Sequence, residues 1–340
     1  REVPEFSSDS AYSYIKKQVD YGPRVPNTYG HVKTRAFLES KLKEYAGKNS
    51  VFSQEFTEQG YGDTLNMANI IAAFNTSSQD RIMLSAHWDT RPRADEDTSR
   101  TSEYIAGADD GGSGVGVLLE LARIFSENPP PIGVDIVFFD GEDYGTQGDL
   151  KKYFLGSRYW SNNPPVPGYN PRFGILLDMV GAERAVFPKE RYSMSYAPNL
   201  VNELWAIAGE KGYSDVFLNE DGAGVLDDHY IIYENAGIPT IDIINHTVGA
   251  DGNIKFAPHW HTHRDDLPII EDEFHELLIA ELFEMDFEGF EQEDNLLIAS
   301  VPANRYNDVK REQIERSLVK FEGAELIDEE LVSPQNWNEK

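Results

Sequence analysis

Apolar residues along this 340-residue chain recur at two spacings, and the spacings divide it into elements. Helical spacing marks AYSYIKKQV (11–19) and HVKTRAFLESKLKEYAG (31–47), with the Pro/Gly stretch YGPRVPNTYG between them as a turn. It returns in GGSGVGVLLELARIF (111–125), in APNLVNELWAIAGEKG (197–212, stopped by Gly212) and in EDEFHELLIAELFEMDF (271–287). Near-continuous apolar runs mark five strands: ANIIAAFN (68–75), RIMLSAHWD (81–89), VDIVFFD (134–140), FGILLDMVG (173–181) and GIPTIDIIN (237–245). Such strands, alternating with helices, predict an α/β fold with a mixed, mostly parallel central sheet and helices on both faces. Past about residue 290 the periodicity weakens. The expected organisation is one α/β catalytic domain over 1–290. An acidic extension over 291–340, with a helix at 308–321, is expected to pack on it or make an oligomer contact.

The polar residues fall at strand ends. His87 and Asp89 follow the second strand, and Asp109 and Asp110 precede the helix at 111. Asp140, Glu142 and Asp143 end the third strand, and Asp178 lies in the fourth. Asp227, Asp228 and His229 stand before the fifth strand, and His259, His261 and His263 after it. Ligands of open α/β sheets bind beyond these carboxyl ends. A lone acid there ordinarily caps a turn or a helix, and a histidine-rich loop can simply be solvated. Many such acids on one edge of one sheet repel each other unless something positive joins them. Zinc suits imidazole nitrogen and carboxylate oxygen. Within FFDGEDYG (138–145), one of the adjacent acids Glu142 and Asp143 then binds metal and the other moves protons.

Composition narrows the partners. With 59 acidic against 30 basic side chains, the net charge of −29 disfavours binding nucleic acid or anionic lipid through phosphates. The absence of cysteine excludes disulfides and thiolate chemistry. No apolar run is long enough to span a membrane as a helix.

The segments YGPRVP (21–26), HWD, GADDGGSG, FFDGEDYG, GSRYW (156–160), LLDMVGA (176–182), DDH (227–229) and FAPHWHT (256–262), in this order, resemble the zinc aminopeptidase family. Within it, the likeness over roughly 10–290 is to the animal-type glutaminyl cyclases, which also occur in bacteria. The resemblance implies a phosphorylase/hydrolase-like α/β fold. It implies one zinc ion on Asp110, Asp143 and His261, with Asp109 the weaker alternative. It also implies Glu142 as general acid/base networked with Asp178 and Asp227, aromatic walls at Phe256 and Trp260, and supporting roles for His87, Asp89 and Asp228. His87 is expected in hydrogen bonds, and Asp178 bonded to Glu142 or Asp227. Asp143 stands where the family commonly has Glu. YGTQGDL (144–150) lacks the Trp that the animal enzymes carry there. The implied reaction cyclises N-terminal glutamine of peptides or proteins to pyroglutamate and releases ammonia. Bacterial relatives are exported, so a periplasmic or outer-membrane-attached location is expected. The competing readings are a two-zinc aminopeptidase, using His87 and Asp178 for a second ion, and an inactive peptide-binding scaffold.

Overall fold

The structure, a computed structural model, describes residues 4–270, 282–293, 296–318 and 326–329. Two compact units are present, Arg1–Glu271 and Asp272–Lys340. The structural boundary therefore falls before the 290/291 division read from the sequence.

The first unit is built on a six-stranded sheet. Its strands are β1 (Val51–Gln59), β2 (Thr64–Phe74), β3 (Arg81–His87), β4 (Gly133–Phe139), β5 (Gly174–Asp178) and β8 (Thr240–Ile244), in the order β1-β2-β4-β3-β5-β8. The four strands from β4 to β8 are mutually parallel, while β2 runs antiparallel to both β1 and β4. The short pair β6 (Phe187–Lys189) and β7 (Phe217–Asp221) forms a separate two-stranded sheet, as does β9 (Thr247–Val248) with β10 (Ile254–Lys255). The mostly parallel core follows from side-chain chemistry. Every residue of β4 is buried, which suits a strand covered on both faces.

Alternation along β4 shows the two layers. Val134, Ile136 and Phe138 join Ile70, Leu84 and Ala86 beneath α1 (Ser8–Asp20), α2 (Tyr29–Ala46) and α3 (Gly112–Glu127), through Tyr14, Leu38, Leu42, Val115 and Leu118. Val137 and Phe139 point the other way, with Met83. They meet Trp160 of α4 (Leu155–Asn162) and Ile232 of α7 (Asp228–Ala236). On the Leu84 face, beside Ile175 and Leu177, Ile241 and Ile243 of β8 pack with Val201 and Trp205 of α6 (Pro198–Glu210), which follows the short α5 (Arg191–Tyr196). Helix starts carry the expected caps. Ser7 and Thr28 accept from the backbone of Ser10 and His31, and Pro198 opens α6.

The described part of the second unit holds a hairpin of β11 (Gly289–Glu293) and β12 (Leu296–Ser300) and a helix, α8 (Asp308–Leu318). Leu282, Phe287 and Ile314 form its own small core. Of the helix expected over 271–287, residues 271–281 lie outside the described residues.

Candidate metal and proton-transfer site

Three strand ends deliver the chemistry. β3 ends in His87, β5 ends in Asp178, and β4 runs into Asp140-Gly141-Glu142-Asp143. Two glycines make the close approach possible. Gly111 has φ +87, and a Cβ there would run into the Asp89 carbonyl and the His87 ring. Gly141 has φ +72 and faces Met67. Both conformations are open to glycine and strained for other residues.

Asp110, Asp143 and His261 come together, each buried, with one donor atom apiece within 4.8 Å of the others. His261 Nε2 lies 3.2 Å from Asp143 Oδ2 and 3.6 Å from Asp110 Oδ2. These separations straddle the edge of roughly 3.4 Å that a tetrahedron with bonds of about 2.1 Å requires. Asp143 Oδ2 is buried without a hydrogen bond of good geometry. The trio thus fits a tetrahedral zinc ion with one position left over. His261 sits in the left-handed region (φ 54), a conformation that concentrates at functional sites. Trp260 stacks on its ring at 3.7 Å, and Phe256 lies 4.5 Å beyond on Trp260. Both aromatics are half-buried beside Met179, Val225 and Ile244.

Asp89 explains the geometry of the acid pair. Its two oxygens accept from the backbone N–H groups of Glu142 (3.0 Å) and Asp143 (3.2 Å). The turn is fixed so that the two side chains part. Asp143 is buried, while Glu142 keeps some accessible surface. Their titration parts too. Desolvation and the Asp143 charge raise Glu142 well above the usual carboxylate range. Burial alone would raise Asp143 as well, but His261 and Arg91 outweigh it and hold that group at about 2. Desolvation, reinforced by Asp178, brings Asp227 to about 7; desolvation brings Asp178 to about 6, against the opposing pull of His87. Carboxyls poised near neutral pH beside a metal trio can pass protons.

His87 Nε2 lies 3.1 Å from Asp110 Oδ1 and 3.2 Å from Asp178 Oδ1. Burial opposes its charge, but Asp110, Asp178 and Asp89 together raise it well above an ordinary histidine. Asp178 therefore bonds to His87, and not to Glu142 or Asp227 as the sequence predicts. His87, Asp110 and Asp178 form a second buried trio, with one donor atom apiece within 4.8 Å of the others. Asp109 is turned away. It accepts from Gly181 N–H at 2.9 Å and pairs with His259 at 2.9 Å. Asp140 is likewise engaged elsewhere, with His31 and the Ala68 amide. Asp227 caps α7, and Asp228 accepts from Ser157 Oγ.

Sequence reasoning missed four residues. Asp265 accepts from the amides of Asp109 and Asp110 and sets their loop. Arg91 donates to Asp143. Glu190 lies 3.2 Å from His229. Asp242, buried in β8, forms a third close trio with Asp227 and His229. Asp242 had a signal, an acid inside the apolar run GIPTIDIIN. The other three had none.

The model of peptidase family M28 matches residues 69–278. Bovine glutaminyl-peptide cyclotransferase is 23% identical over 279 residues, covering 72% of this chain and 72% of that protein. The glutaminyl cyclase of Bacteroides thetaiotaomicron, solved with N-acetylhistamine, is 46% identical at a TM-score of 0.75, covering 79% of this chain and 94% of that one. A Zn-dependent exopeptidase from Parabacteroides distasonis is 43% identical at a TM-score of 0.75, covering 80% and 94%.

Proposed function

The chain belongs to peptidase family M28, and from that premise we propose that it is a zinc-dependent glutaminyl-peptide cyclotransferase holding one ion on Asp110, Asp143 and His261. The observation that carries the reading is Glu142, partly accessible beside the trio and raised by desolvation and Asp143. It is supported by the glutaminyl cyclases of Porphyromonas, Bacteroides and Tannerella, at 44–46% identity, whose fold the chain shares.

The substrate is a peptide that begins with glutamine. Bound zinc supplies a Lewis acid that makes the side-chain amide carbon attackable. The α-amine of the same residue forms the new C–N bond, and the amide C–N bond breaks. Glu142 takes the proton from the amine and hands it to the departing ammonia. Asp178 and Asp227, each held near neutral pH, surround this transfer with groups that exchange protons readily. Phe256 and Trp260 give the glutaminyl residue an apolar wall, which excludes water and holds amine and carbonyl together.

The trio His87, Asp110 and Asp178 favours a second reading, a two-zinc aminopeptidase. Hydrolysis needs an activated water, whereas cyclisation brings its nucleophile within the substrate. Two measurements on zinc-replete protein separate the readings. The cyclase releases ammonia from a Gln-initiated peptide, leaves a Leu-initiated one intact and carries one zinc per chain. Free leucine together with two zincs per chain would establish the aminopeptidase.

A further inference from the structure

Each carboxylate of the trio has one oxygen turned inward and the other held from outside. Asp110 Oδ2 faces His261 Nε2, while its Oδ1 lies 3.1 Å from His87 Nε2. Asp143 Oδ2 faces His261 Nε2, while its Oδ1 accepts from Arg91 Nη1 at 2.9 Å. Arg91 is fully buried. The same Nη1 donates to the main-chain carbonyls of Asp143 (3.0 Å) and Gly145 (2.8 Å). The far side of the guanidinium grips both oxygens of Asp95. Asp95 Oδ1 in turn lies 3.6 Å from His261 Nδ1. One buried cation therefore holds one proposed ligand by side chain and main chain, and faces another through its own counter-ion.

We propose that Arg91, with Asp95, is a positioning residue that confines Asp143 to metal binding through Oδ2 alone, keeping one coordination position open for the substrate carbonyl. The proposal rests on the reading of Asp110, Asp143 and His261 as ligands. A carboxylate with both oxygens free can turn to bind an ion through both. At Asp143 the N–H of Arg91 occupies Oδ1, and the fixed fork of the guanidinium resists that rotation as a lysine ammonium would not. The hydrogen bond also draws charge from Asp143, leaving a bound ion more electron-poor. Asp95 offsets the added positive charge, so the pair brings selectivity of geometry without net charge. Glu142 precedes Asp143 in the chain, so confining Asp143 also steadies the proton carrier.

The simpler role for a buried arginine here is to staple the 143–145 turn to the loop bearing Asp95. Cobalt substitution distinguishes the two, because four-coordinate cobalt(II) absorbs visible light far more strongly than five- or six-coordinate cobalt. Arg91→Met should weaken the visible band, lower zinc affinity in chelator competition by about 10–100-fold, and reduce kcat more than it raises KM. Asp95→Asn should shift the band in the same direction by less, and Arg91→Lys should be intermediate. If Arg91→Met does not fold, Arg91→Lys carries the test. A folded variant with a lowered melting temperature but the wild-type cobalt spectrum and zinc affinity overturns the proposal in favour of the staple. Failure of the wild-type chain to bind cobalt, or binding that survives His261→Ala, instead removes the ligand reading on which it rests.

Discussion

At the scale of single residues, the adjacent acids Glu142 and Asp143 have opposite surroundings. Asp143 is held charged by His261 and Arg91, while Glu142 is raised by desolvation and by that same charge. The difference predicts opposite mutational signatures. Glu142→Gln is nearly isosteric and keeps the hydrogen bond from its backbone N–H to Asp89, so zinc content and melting temperature should be retained. Turnover should fall by roughly two to four orders of magnitude, as for a positioned acid/base. Activity within a few-fold of wild type would show that the proton travels elsewhere. Asp143→Ala and His261→Ala each remove one of three proposed ligands, so elemental analysis after dialysis should find little zinc. Full zinc in both would mean that the ion sits at another trio. The acids were legible because carboxyl ends of parallel strands converge, so acids scattered through the sequence share one edge. Arg91 and Asp265 were not legible, because their partners lie 52 and about 155 positions away and neither has a periodic signature.

At the scale of elements, what the sequence revealed tracks burial. β2, β3, β4, β5 and β8 were readable as apolar runs because both sheet faces are covered. β1 was missed because only Gln54 and Phe56 are buried along it, leaving little hydrophobic signal on an edge strand. The helices α4, α5 and α7 are at most nine residues long, too short for helical spacing to stand out. Yet α5 and α7 are tied together by one side chain. Glu190 accepts from the amides of Tyr192 (2.8 Å), Ser193 (2.6 Å) and Val225 (3.0 Å) and from Ser193 Oγ (2.7 Å), and it lies 3.2 Å from His229. Burial opposes its charge, but His229 and these amides outweigh that and hold it at about 2. A depressed carboxylate stabilises the fold above its unfolded pKa near 4.5 and loses that contribution as pH falls towards about 2. At about 1.4 kcal/mol per unit, the contribution is on the order of 3 kcal/mol. Glu190→Gln should therefore unfold at lower denaturant than wild type at pH 7, and the gap should narrow as pH falls from 5 to 3. A gap that stays constant with pH would mean that Glu190 acts through packing alone.

At the scale of the whole molecule, the −29 net charge sets the terms on which the fold is stable. Some acids are absorbed locally. Asp89, Asp265 and Glu190 are held by amides, and Asp135 by Arg81 at 2.6 Å. Ion pairs at the surface are exposed, as between Lys16 and Asp20, and pairs of this kind contribute at most about 1 kcal/mol each. The excess of acids therefore acts chiefly as self-repulsion, which folding increases by compacting the chain. The Debye length shrinks from about 30 Å at 0.01 M salt to about 8 Å at 0.15 M. Distant repulsion is screened over that range, while the pairs lost to screening are individually weak. The melting temperature should therefore rise with added monovalent salt at pH 7, by about 1–2 °C for each kcal/mol of repulsion relieved. Because protonating surface acids relieves the same repulsion, the rise should be smaller at pH 5. Calorimetry across both variables checks the balance. A melting temperature that falls with salt would show that attractive pairs, not the excess of acids, dominate the surface.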